Sequence, residues 1–451
     1  MIEYLYIPLI LLLYVRTWKY KMLIDDHVPR NGMLLNLTER PEHWSFYEKQ
    51  RPLLATVTNI GVFIFSCVAI HALFGWKVAL LYAVMPSQVS GTAWNTGNYY
   101  QTTAFLVLVS YYFASMGTFF GLFSGMWFYV AALGSTVSAI PFAFVFPLIY
   151  QGPAWWIMFI PLFFFLFGHR FQTGLRLRQE KHDRRMIQTG EIRASKFFVM
   201  NKVLAYYTVL NLWPSRLGFF HEFGKDEENA NKREKPTRLF WLSLTLNILF
   251  AYWSYSVNPL GMLWYYGFLM IFSQFTTFGQ FVAERYLYLS NIGFCIIIES
   301  FIFSFGINIT TCVIYAIICA LWAYRAHIYI KSYKDNASLL IQSIEAFPNA
   351  PENYNNLGSH YMERGRFLKA IEPLLMASRF VHNFSSRINA NLSVCYLRLG
   401  QFDKARLYTL KALENCGIDD VEPLRRQLGE LDRRIKMMQE NKRYLKKKGI
   451  I

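Results

Sequence analysis

Six cysteines are spread over 451 residues, too few and too scattered to make a disulfide framework. Cys67, Cys295, Cys312 and Cys319 lie inside apolar stretches, where a thiol serves as a small core residue. Acidic residues are also in short supply. Asp and Glu number 29 against 46 Lys and Arg, for a formal charge of +17. The basic residues gather in loops flanking apolar runs and in the tail, where anionic lipid headgroups are a sufficient partner, so no nucleic-acid role is assigned. The polar loop 20–52 contains His27 and His43 but neither His-x-x-x-His nor Cys-x-x-Cys. No metal is predicted on that pattern. No glycine-flanked serine marks a nucleophile turn, which removes the main support for a Ser-His-Asp hydrolase. The opening run MIEYLYIPLILLLYV has no basic residue before it and no small-residue cleavage site after it. It reads as an uncleaved first helix and not as a signal peptide.

What the chain does have is apolar length. It is 54% hydrophobic and 18% aromatic, and stretches near 3–19, 53–75, 76–90, 98–116, 118–134, 136–151, 154–169, 197–213, 238–257, 259–276, 280–305 and 308–326 approach the length a helix needs to span hydrocarbon. A multi-pass membrane domain of about 10–12 helices over residues 1–333 is therefore expected. Polar stretches interrupt it at 20–52, 170–196 and 214–237. The strongly basic 170–196 segment favours the cytoplasm, whereas Arg16, Lys19 and Lys21 after the first helix favour an outside N-terminus.

Beyond Tyr333 hydropathy falls, and two segments align. APENYNNLGSHYMERGRFLKAIEPLLMAS from Ala350 matches SSRINANLSVCYLRLGQFDKARLYTLKAL from Ser385: Leu357 with Leu392, Tyr361 with Tyr396, Gly365 with Gly400, Phe367 with Phe402 and Ala370 with Ala405. A period of about 34 residues, with small residues where paired helices touch and a turn glycine between them, is the tetratricopeptide signature. The expected arrangement is a short α-solenoid over 334–421, opened by a degenerate half-repeat from Ser338 and closed by a basic capping helix and tail over 422–451. Asn356, Tyr361, Asn391 and Tyr396 are its candidate partner-binding residues, facing a protein or peptide. The whole chain is thus expected to be all-α.

Two places carry candidate chemistry. Asp25 and Asp26 sit just past the first helix, where one carboxylate is placed to take a proton from an attacking hydroxyl and its neighbour raises its pKa; two solvated loop aspartates fit the same pattern. In FGQFVAERYLYLSNIGFCIII an apolar run carries Glu284 and Arg285. Ionisable groups there face a cavity, pair with another charge or mark a substrate path, and an arginine fork suits a phosphate. Snorkelling of the pair beside an aromatic belt formed by Tyr286 and Tyr288 is the alternative.

FVAERYLYLSNIGFC resembles the most recognisable string of the transmembrane and tetratricopeptide O-mannosyltransferases, in which proline usually stands at the position of Ser290. PSQVSGTAWNTGNYY, NKVLAYYTVLNLWPSRLGFFHEFG and the junction YRAHIYIKSYKDNASLLIQSIEAFPNAPENYNNLG follow the same order. The resemblance implies a polytopic transmembrane helix bundle of the C-type glycosyltransferase kind. It implies inverting transfer of a sugar from a polyprenyl-phosphate carrier to a hydroxyl of a protein or glycan, on the non-cytoplasmic face of a bacterial inner membrane or the endoplasmic reticulum. Under it Asp25 or Asp26 is the base, Glu284, Arg285 and Tyr288 border the lipid phosphate, and Trp94, Asn95 and His221 line the pocket. The donor is the carrier-linked sugar, and membrane lipids and a protein acceptor are the partners.

Some positions depart from the family pattern. Met85 stands where histidine precedes the proline, Gly91 follows in place of an acid, Asn98 replaces a basic residue, and Thr136 and Val137 stand where a Lys-Glu pair is expected. These changes suit a different sugar or carrier, or a non-catalytic relative acting as a membrane-anchored scaffold for a protein partner; a carrier-lipid flippase or polymerase is a third reading. Under the transferase reading, Asp25→Asn or Asp26→Asn abolishes sugar transfer while the protein still inserts. Normal transfer by both single variants, assayed with a carrier-linked sugar, removes the base.

Overall fold

In the computed structural model, residues 2–20, 23, 53–93, 98–115, 196–219, 221, 238–273, 282–380, 385–414 and 418–448 are described. All regular structure among them is helical. The chain divides into two units, Met1–Leu339 and Leu340–Ile451.

The first unit contains α1 (Tyr6–Tyr14), α2 (Leu53–Phe74), α3 (Trp76–Val84), the single turn α4 (Val89–Thr92), α5 (Asn98–Ser115), α6 (Lys196–Leu212), α7 (Arg238–Val257), α8 (Pro259–Leu269), α9 (Ser290–Phe303) and α10 (Ile309–Ser332). Its breaks have local causes. Gly75, at φ 91°, turns the chain between α2 and α3 in a conformation that penalises any Cβ. Pro86 follows the end of α3 and opens a 3₁₀ turn at Pro86–Gln88, so the apolar run expected to continue to 90 is not one helix. Asn258 caps α8 by accepting from the Gly261 amide at 2.9 Å, and Asn308 and Thr311 form a reciprocal capping box that starts α10.

Among the described residues, two helices are long and apolar enough to cross a membrane, α2 over Thr56–Phe74 and α10. Both present apolar side chains outward. On α10, Ile309, Val313, Ile317, Leu321, Tyr324 and Ile328 are exposed at helical spacing along one side. α7 does the same with Leu242, Leu249 and Tyr252.

The run expected as one span over 280–305 is divided. Ala283 is extended, with φ −154° and ψ 136°, Glu284–Leu287 forms one 3₁₀ turn, and α9 begins only at Ser290. The cause is tertiary. The Tyr207 hydroxyl accepts from the Ala283 amide at 3.0 Å and donates to its carbonyl at 3.4 Å, bonds that an α-helix through this point would have to give up. The Tyr82 hydroxyl holds the Tyr288 carbonyl at 2.8 Å, and the Trp264 indole holds that of Leu289 at 3.0 Å.

α8 and α9 cross closely at paired glycines. A Cβ built on Gly293 would lie 2.4 Å from the Tyr265 amide nitrogen and 2.6 Å from the Gly261 carbonyl oxygen. Backbone cannot step aside as a flexible side chain can, so this contact needs glycine.

The second unit comprises α11 (Asn336–Ala346), shared across the boundary, and α12 (Pro351–Glu363), α13 (Phe367–Ser378), α14 (Ser385–Arg398), α15 (Phe402–Glu414) and α16 (Ile418–Lys447). α12 pairs with α13 and α14 with α15, and the two pairs pack through α13 and α14. Gly365 at φ 69° and Gly400 at φ 73° occupy equivalent turns in the two pairs. Tyr354, Ala370, Leu374, Ile388, Leu392 and Ala405 belong to its core.

We expect Gly293→Ala to lower stability by about 1–3 kcal/mol or more through overpacking, whereas Gly61→Ala, with no atom within 4 Å of the added Cβ, leaves it unchanged or slightly raised. Thermal unfolding of the two variants in one detergent, followed by tryptophan fluorescence, checks the difference.

Candidate functional site around Glu284 and Arg285

A carboxylate taken out of water needs donors, and Glu284, 2% exposed, receives them from two distant parts of the chain. Its Oε1 accepts from the Gly218 amide at 2.7 Å, in the segment after α6. Its Oε2 accepts from the Tyr329 hydroxyl at 2.6 Å, on α10. His221 Nε2 lies 3.3 Å from Oε1, an electrostatic contact between two almost wholly enclosed side chains. The other ring nitrogen, Nδ1, is 2.7 Å from the Tyr206 hydroxyl. With the tyrosine donating to Nδ1, the Nε2 nitrogen carries its hydrogen on the carboxylate side.

α10 organises this corner through one face. Arg325, Tyr329 and Tyr333 recur every four residues, so they stand above one another. The Arg325 guanidinium donates to the carbonyls of Pro214 and Ser215. Tyr329 reaches Glu284, and its hydroxyl lies 3.2 Å from that of Tyr333. The segment supplying Gly218 and His221 is thereby tied to the helix that supplies Tyr329.

Arg285 follows immediately and is 8% exposed. Its guanidinium lies 5.3 Å from the ring centroids of both Phe219 and Tyr286, within cation–π range. Tyr286 in turn stacks on Phe272, with centroids 4.6 Å apart and ring planes 6° from parallel. Tyr288 is buried, with its ring against Phe272 and its carbonyl held by Tyr82.

An amide chain runs next to the turn. Asn211 Nδ2 donates to Asn291 Oδ1 at 2.8 Å, and Asn291 Nδ2 donates to Ser87 Oγ at 2.8 Å. This joins α6 and α9 to the Pro86–Gln88 turn, which packs on Glu284–Leu287.

The structure thus brings together Glu284, Arg285 and His221, with Tyr288 three residues on. Asp25, Asp26, Trp94 and Asn95 lie outside the described residues. In the second unit Asn391 Nδ2 donates to Asn355 Oδ1 at 3.2 Å and to Ser359 Oγ at 3.3 Å. Asn356 and Tyr361 are half-buried. Tyr396 is buried, stacked on Tyr408 at 5.4 Å.

Sequence reasoning misses Gly218, Tyr206 and Tyr329. The only signal for Tyr329 is the four-residue spacing of Arg325, Tyr329 and Tyr333; a backbone amide such as that of Gly218 leaves no mark in a sequence. Comparison with protein-family models, with curated proteins and with solved structures finds no match.

Removal of the Tyr329 hydroxyl leaves one oxygen of a buried carboxylate without that donor. Tyr329→Phe is expected to cost about 1–3 kcal/mol. In a double-mutant cycle with Glu284→Gln, by thermal unfolding in detergent, a coupling of about 0.5–3 kcal/mol should appear; additive effects would remove the hydrogen bond from the account.

Proposed function

We propose that the first unit is a multi-pass membrane domain that binds the phosphate of a polyprenyl-phosphate-linked sugar at Arg285, and that the protein transfers the sugar to a hydroxyl of a protein or glycan acceptor. One observation carries the reading. A buried arginine, braced between two aromatic rings, is set on a single 3₁₀ turn whose neighbouring carboxylate is held by donors from two distant segments. Such a turn costs buried polar groups and is worth keeping where a cation must be presented in a fixed direction. Guanidinium is the group for a phosphate monoester or diester, because its planar fork matches two oxygens at once. Glu284 in this reading is a positioning residue. It ties the turn to α10 and to the segment after α6, and Arg285 follows from its placement.

The membrane assignment draws support from the outward apolar faces of α2, α7 and α10, which in water would form patches prone to association. The resemblance of FVAERYLYLSNIGFC to the O-mannosyltransferases supports the carrier and the class of reaction, with Asp25 or Asp26 as base. The paired helices of the second unit, with positive-φ glycines at equivalent turns, support the tetratricopeptide reading. A protein or peptide partner at those repeats follows from it.

The experiment is a titration of the full chain in lipid nanodiscs with a short-chain polyprenyl monophosphate, followed by native mass spectrometry. Arg285→Gln should weaken binding at least about tenfold, in line with the loss of charge-assisted hydrogen bonds. Arg285→Lys should recover only part, since it returns charge without the fork. Equal binding by all three proteins overturns the assignment.

A further inference from the structure

We propose that the groove between the start of α15 and the distal half of α16 docks an acidic amphipathic helix of a partner protein. α16 carries a seam whose spacing alternates between four and three residues: Leu424, Leu428, Leu431, Ile435, Met438, Lys442 and Leu445. That is the heptad pattern by which one helix offers a stripe to another. Leu424 and Leu431 are buried, and Leu431 belongs to the core of the second unit. Further along the same stripe Met438 is 53% exposed, and Ile435 and Leu445 are only half-buried.

The seam outruns the helix that covers it. α15 has 13 residues and α16 has 30. They run in opposite directions: α15 ends at Glu414, shortly before α16 starts at Ile418, while Asp432 Oδ1 on α16 meets Arg406 Nε at 2.6 Å, one turn from the start of α15. α16 therefore continues about 16 Å past the last turn it shares with α15. Where the cover stops, Phe402, Lys404, Ile435, Met438 and Lys442 line a groove of about 380 Å³. None of Asn356, Tyr361, Asn391 and Tyr396 lines it, so it is separate from the partner-binding residues assigned to the repeats.

Charge selects the occupant. Residues 432–448 hold eight Lys and Arg against two acids, and along the groove Lys404 and Lys442 outnumber Asp403. Lys442 stands in the seam itself. A second copy of α16 would set that lysine and its basic surroundings against their own kind, an unfavourable pairing. An anionic bilayer has the right sign but a flat face, which does not fill a groove. An acidic helix meets both conditions: its apolar side chains enter as knobs beside Ile435 and Met438, and its carboxylates reach Lys404 and Lys442.

The test uses the full chain in zwitterionic nanodiscs, with empty nanodiscs as the blank, and labelled three-heptad helical peptides read by fluorescence anisotropy. One has leucine at the heptad core positions flanked by glutamate, the second leucine flanked by lysine, the third alanine flanked by glutamate. The leucine–glutamate peptide should bind, and the other two should not. Met438→Ser and Lys442→Glu should each weaken it about tenfold; both positions are exposed, so neither change removes core packing. Arg443→Gln, off the seam, should change it less than about twofold, and Lys442→Glu should improve binding of the lysine peptide. No binding of the leucine–glutamate peptide overturns the proposal. Equal loss in Arg443→Gln, or equal binding of the alanine peptide, reduces it to attraction by charge and also overturns it. A dimer in native mass spectrometry that Met438→Ser dissociates gives the seam to a second copy, and slower hydrogen exchange over 432–448 on adding anionic lipid gives it to a bilayer; either result overturns the partner helix.

Discussion

Burying a carboxylate among apolar helices is the constraint on which the rest of the first unit turns. Glu284 is acceptable there only because the Gly218 amide, the Tyr329 hydroxyl and the His221 ring surround it. They come from two distant stretches of chain, the segment after α6 and α10, so the carboxylate acts as a common anchor. The α10 face built from Arg325, Tyr329 and Tyr333 then fixes the segment after α6, and the turn at 284–287 takes its place between them.

Around this anchor, hydrogen bonds replace the regular helix that the apolar composition favours. Tyr207 holds both backbone groups of Ala283, Tyr82 and Trp264 hold the carbonyls that follow, and the asparagine pair links α6 and the start of α9 to Ser87. Irregular backbone is tolerated inside an apolar bundle only where such partners exist. Together these side chains give the turn a fixed direction.

The two units rest on different physics. In the first, glycine lets α8 and α9 approach until backbone meets backbone, and the outer faces remain apolar. In the second, the helices are amphipathic and glycines at φ 69° and 73° make the turns. Gly358 serves another purpose there: a Cβ would meet Leu374 Cγ at 2.4 Å, so it marks a close packing point between α12 and α13.

Some of this was legible in the residues. Helical character follows from apolar runs and from the repeat pattern, because both depend on local periodicity and turn chemistry that neighbouring residues carry. Gly365 and Gly400 could be placed in turns for the same reason, and Glu284 and Arg285 stood out as charges in an apolar run. Other features depend on residues far apart in the chain. The run around them read as one continuous helix, and only the tertiary bonds from Tyr207, Tyr82 and Trp264 show why α9 starts at Ser290. The partners of Glu284 are a backbone amide 66 residues before it and a tyrosine 45 residues after it. No window of sequence contains both. The sequence by itself determined which residues carry charge, cap helices or permit a positive φ; the tertiary structure alone decided which of them meet, since burial makes a polar group's partner a matter of packing and not of neighbourhood along the chain.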